Sequence, residues 1–286
     1  MGTVMQKVSV IMPCYNKGEY VEEAVKSVLE QTYGNIEIVI VNDGSSDNSS
    51  EVIKSLADKY KHILFFDEKE NRGVVWARNF AVEASTGEFI LPLDADDTID
   101  STFVEKAVKI LEKNQKMIVS CRNVFDKDLS DEKGLIDTKK IVCGDEKFVC
   151  TVMFRKSDFE EVGGYKECMN NIGCEDWELF LNFINHGYQF YKINEKLFNY
   201  RRNTNQNRSE IQAKNTYEIK RKVIELYPNL FLSEQNIDTL FTSPEYVYQL
   251  QKKRKKYKKL FNITLIVAIV EFVVFTLLIF TKGQIW

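Results

Sequence analysis

The sequence predicts an α/β fold: a mostly parallel sheet flanked by helices, with a helical membrane anchor at its carboxyl end. Two observations predict the sheet. Short apolar runs of strand length recur through the first 120 residues, and stretches of helical periodicity separate them. A third observation, a basic cluster followed by a long apolar run, predicts the anchor.

Taken in order, the apolar runs Val8–Met12, Ile36–Val41, Ile63–Phe66, Phe89–Leu93 and Met117–Ser120 are expected to be strands. Between them, Gly18–Gln31, Asp47–Tyr60, Val74–Ala84 and Ser101–Glu112 carry apolar residues at helical spacing. Sheets of this kind bind ligands at the carboxyl ends of their strands. The residues that follow the runs, Cys14-Tyr15-Asn16, Asn42-Asp43-Gly44, Asp67–Asn71 and Asp94–Asp97, should therefore meet in one crevice. From Asn123 to Thr138 the chain is polar and reads as a mobile loop. Cys150–Arg155 is expected as a strand, Lys156–Val162 as a helix and Gly163-Gly164 as a turn. Glu175–Asn185 reads as an amphipathic helix closed by Gly187. Tyr188–Ile193 and Lys196–Tyr200 read as strands, and Ile211–Tyr227 and Pro244–Lys259 as helices.

Hydrophobic content of 44% with 12% aromatics argues against disorder. The formal charge of −3, from 39 basic and 42 acidic residues, hides a division after Gln251. The body before that point carries a net −10 and the remainder +7. An acidic body excludes a nucleic-acid partner of the uniformly basic kind. In the remainder, Lys252–Lys259 has seven basic residues in eight, and Leu260–Phe280 is almost wholly apolar. As a helix that run spans roughly 31 Å, close to a hydrocarbon core. The basic cluster would stay on the cytoplasmic side against anionic lipid. Glu271, near the centre, costs on the order of 2–3 kcal/mol, which the apolar neighbours can offset.

The two histidines, His62 and His186, exclude a three-histidine zinc site and leave little for a Ser-His-Asp arrangement. Acid–base chemistry must rest on carboxylates. Cys14, Cys121, Cys143, Cys150, Cys168 and Cys174 lack zinc-ribbon spacing, and no leader-like stretch precedes Val8. A reduced, cytosolic setting with idle thiols is the expectation.

The segment FILPLDADD sets Asp94, Asp96 and Asp97 at a strand end. Crowded carboxylates repel one another, and a hard divalent cation shared with a diphosphate would neutralise them. The bland alternative is an acidic turn capping the helix that starts near Ser101. Asp43-Gly44-Ser45-Ser46-Asp47 is likewise readable as a turn and helix cap. Glu175 and Asp176 open a helix, where the dipole favours negative charge.

In order and spacing, VSVIMPCYN, IEIVIVNDGSSDNS and NRGVVWARNFAVEASTGEFILPLDADD resemble the family 2 glycosyltransferases of the GT-A (Rossmann-like) fold. The likeness runs over Val8–Asp97 and more loosely, through RKSDFEEVGGY and CEDWELFLNFINHGY, to Tyr200. It implies inverting transfer of a sugar from a nucleotide-sugar donor with Mn²⁺ or Mg²⁺. On these positions it implies that Pro13, Tyr15 and Asn16 line the nucleotide pocket and that Asp43 bonds the base, typically uracil. It further implies that Asn71 and Arg78 contact base and diphosphate. Asp94 would face the ribose or metal, Asp96 would ligate the metal, and Asp97 would support it. Asp176 would be the catalytic base, with Glu175 beside it, Trp177 as an acceptor contact and Gly163-Gly164-Tyr165 as a turn under the acceptor site. The family often places a metal-binding histidine after the Tyr-Arg pair, where Asn203 stands here. The QxxRW pattern of processive synthases is absent, which implies addition of one or few sugars.

The expected organisation is therefore a nucleotide-sugar half (1–122), an acceptor and catalytic half (123–210), a helical extension (211–251) and the anchor (252–286, with its helix at 260–280). The expected acceptor is a lipid-linked or cell-surface glycan at the cytoplasmic face of the cell membrane, or a polyprenyl phosphate. Sugar-1-phosphate nucleotidyltransferases also use such a sheet, but PCYNKGEY replaces their Gly-rich basic loop. A non-catalytic sugar-binding or scaffolding protein is the remaining alternative, disfavoured by both acidic motifs.

Overall fold

The computed structural model describes residues 5–126, 134–143, 149–201 and 208–231. They lie in the first of two compact units, Met1–Ile237. The expected helices at 244–259 and 260–280 fall outside the described residues, as does Asn203.

Four strands, β1 (Val8–Cys14), β2 (Ile36–Asp43), β3 (Ile63–Glu68) and β4 (Phe89–Pro92), form a parallel set in the order β3-β2-β1-β4. Helices α1 (Val21–Leu29), α2 (Ser49–Lys59) and α3 (Val74–Ala84) make the crossovers. Both sheet faces are buried, which is why the strands read as continuous apolar runs rather than alternating ones. Val8, Val10 and Met12 of β1 point into one core, with Val25 of α1 and Ile53 of α2. Ile11 points into the other, with Val75 and Ala81 of α3. Each such fully buried Val or Ile contributes about 1.5–3 kcal/mol.

The first helix is shorter than expected. The Lys17 and Gly18 amides donate to Ser49 Oγ (2.9 Å) and Asp47 Oδ2 (3.0 Å), so this turn is held by the start of α2 and the helix begins only at Val21. Asp47 also accepts from the Ser49 amide at 3.0 Å, while the N-cap position itself is Asn48, whose side chain makes no cap bond.

After β4 come β5 (Thr98–Ile99), α4 (Phe103–Leu111) and β6 (Met117–Asn123). The run Met117–Ser120 does not extend the parallel sheet. The free edge of β4 is taken by an antiparallel β8 (Phe154–Arg155), and β6 meets the sheet only through a bridge from Val119 to Met153. The strand expected over Cys150–Arg155 pairs at its last residues alone. β6 instead joins a second sheet, β5-β9-β6, in which β9 (Gln189–Asn199) is one strand where two were expected. Its pairing with β6 jumps from Ile193 to Lys196, so Asn194 and Glu195 form the bulge that the sequence shows as a break. Within the expected loop, β7 (Gly134–Leu135) pairs with β9, and α5 (Thr138–Cys143) follows. Helices α6 (Lys156–Val162), α7 (Glu175–Asn185), α8 (Arg208–Leu226) and α9 (Pro228–Phe231) complete the described chain. Among the described residues no helix is long and apolar enough to cross a membrane.

Candidate active site

The carboxyl ends of β1, β2 and β4 share one edge of the sheet, and the loops there are tied to one another. Asn16, at φ 53°, accepts from the Ser46 amide (2.8 Å) and donates its own amide to Ser45 Oγ (2.9 Å). Asp43 is buried at the end of β2 and accepts from the Arg72 and Gly73 amides at 2.7 and 2.8 Å. Asn71 Nδ2 donates to the Asp43 carbonyl at 3.1 Å. Asp43 thus shapes the loop that enters α3, whatever else it binds. Arg72 lies over the Trp76 ring at 3.8 Å. Pro13 is half-buried within β1, and the Tyr15 ring is exposed beside Asn16.

One buried cation joins the two acidic motifs. Arg78, on α3, is 1% exposed, and its guanidinium reaches Asp94 through Nη2 (2.7 Å) and Asp176 and Glu175 through Nη1 (2.7 and 3.0 Å). Tyr165 closes the cluster, its ring 5.4 Å from the guanidinium carbon. Burial lowers the basicity of Arg78, but Asp176 and Asp94 outweigh it and hold the group well above its ordinary value. The residue is therefore a permanent positive charge between the strand-end acids and the first turn of α7. Asp176 keeps its outer side accessible, with 23% of its side chain exposed, while Glu175 is buried.

The remaining strand-end acids differ from one another. Asp96 pairs with Lys17 Nζ at 2.5 Å. Asp97 is 1% exposed; its Oδ1 accepts from the Arg201 amide (2.9 Å) and its Oδ2 is buried with no hydrogen-bond partner. Burial, then the charge of Asp94, pushes the Asp97 carboxyl up to about 8. Arg201 also donates through Nε to the Asp96 carbonyl (3.0 Å) and pairs with Glu23. Single oxygens of Asp94 and Asp97 and the sulfur of Cys150 lie within 4.8 Å of one another. Burial and the surrounding carboxylates hold the Cys150 thiol well above its ordinary value.

Of the other expected residues, Trp177 is half-buried and donates Nε1–H to the Ile141 carbonyl of α5 at 2.8 Å. Gly164, at φ 64°, packs against Asn79 and Phe159, and Asn79 exchanges two bonds with Tyr165. The glycine turn thus seats Tyr165 beneath Arg78. Asn170 Nδ2 donates to the Arg72 carbonyl at 2.8 Å, which joins the segment leading into α7 to the Asp43 loop. Lys17, Cys150 and Arg201 were given no role from the sequence, and Tyr165 was expected only as part of the glycine turn. Lys17 alone carried a readable signal, a cation just past the end of β1.

The motifs and their order match a known family: residues 9–173 fit the description Glycosyl transferase family 2. The chain belongs to glycosyl transferase family 2. Glu175 and Asp176 stand just beyond the matched segment of this glycosyltransferase. A Haemophilus influenzae protein described as an uncharacterized glycosyltransferase is 30% identical over 186 residues, 63% of this chain and 72% of that one. Among solved structures, S. aureus TarS 1–349 in complex with UDP-GlcNAc aligns with a TM-score of 0.65 at 18% identity, covering 85% of this glycosyltransferase and 72% of that chain. The mannosyltransferase PcManGT of Pyrobaculum calidifontis, in complex with GDP-Man and Mn²⁺, gives a TM-score of 0.67 at 18% identity, covering 96% and 81%. At that identity the likeness establishes the GT-A fold.

Proposed function

We propose that the protein transfers one sugar, with inversion, from a nucleotide-sugar donor to a lipid-linked or cell-surface glycan acceptor. A UDP-hexose or UDP-N-acetylhexosamine is the donor this reading favours. The observation that carries it is the Arg78 bridge, which sets a donor-side carboxylate, Asp94, and an accessible carboxylate, Asp176, on one buried cation. The complexes of TarS with UDP-GlcNAc and of PcManGT with GDP-Man support the substrate class.

In this reading the nucleotide lies over the Asn16, Asp43 and Asn71 loops, and Asp43 would bond the base. The acceptor hydroxyl attacks the anomeric carbon in line, the bond to the β-phosphate oxygen breaks, and Asp176 takes the hydroxyl proton. Arg78 sets a positive charge against Asp176 and fixes its position for that task. The partnerless buried oxygen of Asp97 beside Asp94 fits a Mn²⁺ or Mg²⁺ ion, which Asp94 and Asp96 would hold with Asp97 in support. When bound, such an ion takes up charge on the departing diphosphate.

The test is turnover by purified protein with Mn²⁺ and a panel of radiolabelled nucleotide sugars. Asp176→Asn should lower kcat by about 10²–10⁴-fold. Wild-type-like turnover in that variant would sink the assignment of the base.

The basic stretch 252–259 and the apolar run 260–280 would hold the enzyme at the cytoplasmic face of the membrane, beside an acceptor that is itself in the bilayer. Removal of residues 252–286 should release a protein that still binds donor. A truncated protein that stayed with the membrane fraction would contradict the anchor.

A further inference from the structure

Cys150 has no place in the reaction as described, yet its sulfur sits among the acids of the site. It lies just before β8, opposite the end of β4, and its Sγ is within 4.8 Å of ligand atoms on both Asp94 and Asp97. The same sulfur lies 3.9 Å from Thr151 Oγ1. Asp97 supplies the second, independent observation. Its side chain is 1% exposed, and Oδ2 meets no hydrogen-bond donor. A buried carboxylate oxygen left in that state is costly unless a cation sits against it. Asp96, by contrast, already has the Lys17 ammonium at 2.5 Å.

We infer that Cys150 is a protein ligand of the divalent ion, adding a thiolate to the carboxylates of Asp94 and Asp97 on its side of the strand-end cluster. This rests on the reading of the strand-end acids as the metal site and assigns it a donor that reading did not contain. As the metal–sulfur bond forms, the thiol proton leaves to solvent, so the step is a metal-for-proton exchange with no redox change. A mixed oxygen and sulfur set favours borderline or soft cations such as Zn²⁺, Co²⁺ and Cd²⁺ over Mg²⁺, with Mn²⁺ between.

The purified full chain, stripped of metal and titrated with Co²⁺, tests this without reference to turnover. Bound Co²⁺, measured by equilibrium dialysis, should bring a thiolate-to-cobalt charge-transfer band in the near ultraviolet. Cys150→Ser should remove the band and weaken Co²⁺ binding by about tenfold or more, while Cys168→Ser, at an exposed thiol, should leave both unchanged. If serine disturbs folding, as circular dichroism would reveal, Cys150→Ala provides the same comparison. Bound Co²⁺ without the band in wild type, or a band that survives in the Cys150 variants, overturns the thiolate ligand and leaves the strand-end acids standing. No Co²⁺ binding at all overturns both.

Discussion

Arg78 Nη1 and Asp176 Oδ1 lie 2.7 Å apart, although 98 residues separate them in the chain. The same guanidinium holds Asp94. The strand-end acid Asp94 and the first turn of α7 are therefore located by one side chain rather than by two independent loops.

Removal of that charge should be costly in two ways. Arg78→Met leaves three carboxylates without their common partner and should destabilise the fold by about 3–5 kcal/mol. Arg78→Lys keeps a charge but cannot span two carboxylates in a fixed plane. It should lose more activity than stability, with kcat falling more than KM rises. Urea unfolding beside steady-state kinetics measures both, and an Arg78→Lys enzyme with wild-type kcat would refute the positioning role.

Gly73 enters α3 at φ 94° and ψ 158°, a conformation that other residues adopt at a cost of about 1–3 kcal/mol. A Cβ there would also fall 2.2 Å from Asn170 Oδ1. Gly73→Ala should displace the Asp43 loop and weaken nucleotide binding, read by calorimetry with UDP and UDP-sugars. Unchanged affinity would show that the loop does not touch the donor.

Glu178 of α7 is fully buried, accepts from the Tyr227 hydroxyl at the end of α8, and has an Oε2 without a partner. Burial raises its carboxyl from 4.5 to about 7. The folded state therefore holds a proton between those values that the unfolded chain has released. That contribution is full below the unfolded value and is lost as pH rises through the folded one, on the order of 3 kcal/mol. Glu178→Gln should match wild type near pH 5 and exceed it near pH 8 in denaturant unfolding. Parallel curves across that range would contradict the buried-acid account.

The parallel strands, their helices and both acidic motifs were legible because each is local. A strand buried on two faces must be an apolar run, and a carboxylate cluster at its end is visible as letters. The second sheet was less legible. Whether Met117–Ser120 extends the first sheet depends on β8 capping β4, a contact between segments more than 60 residues apart. Arg78 was identified as a site residue, but its burial among three carboxylates from two segments follows only from the folded positions of β4 and α7. Cys150 carried no signal, since a thiol in a weakly patterned stretch resembles any core cysteine.

Asn170 joins the Arg72 carbonyl to the segment that leads into α7, five residues before that helix begins. If the donor nucleotide settles on the Asp43 loop, as proposed, it bears on the segment that leads into α7, and donor before acceptor is the order of addition to expect.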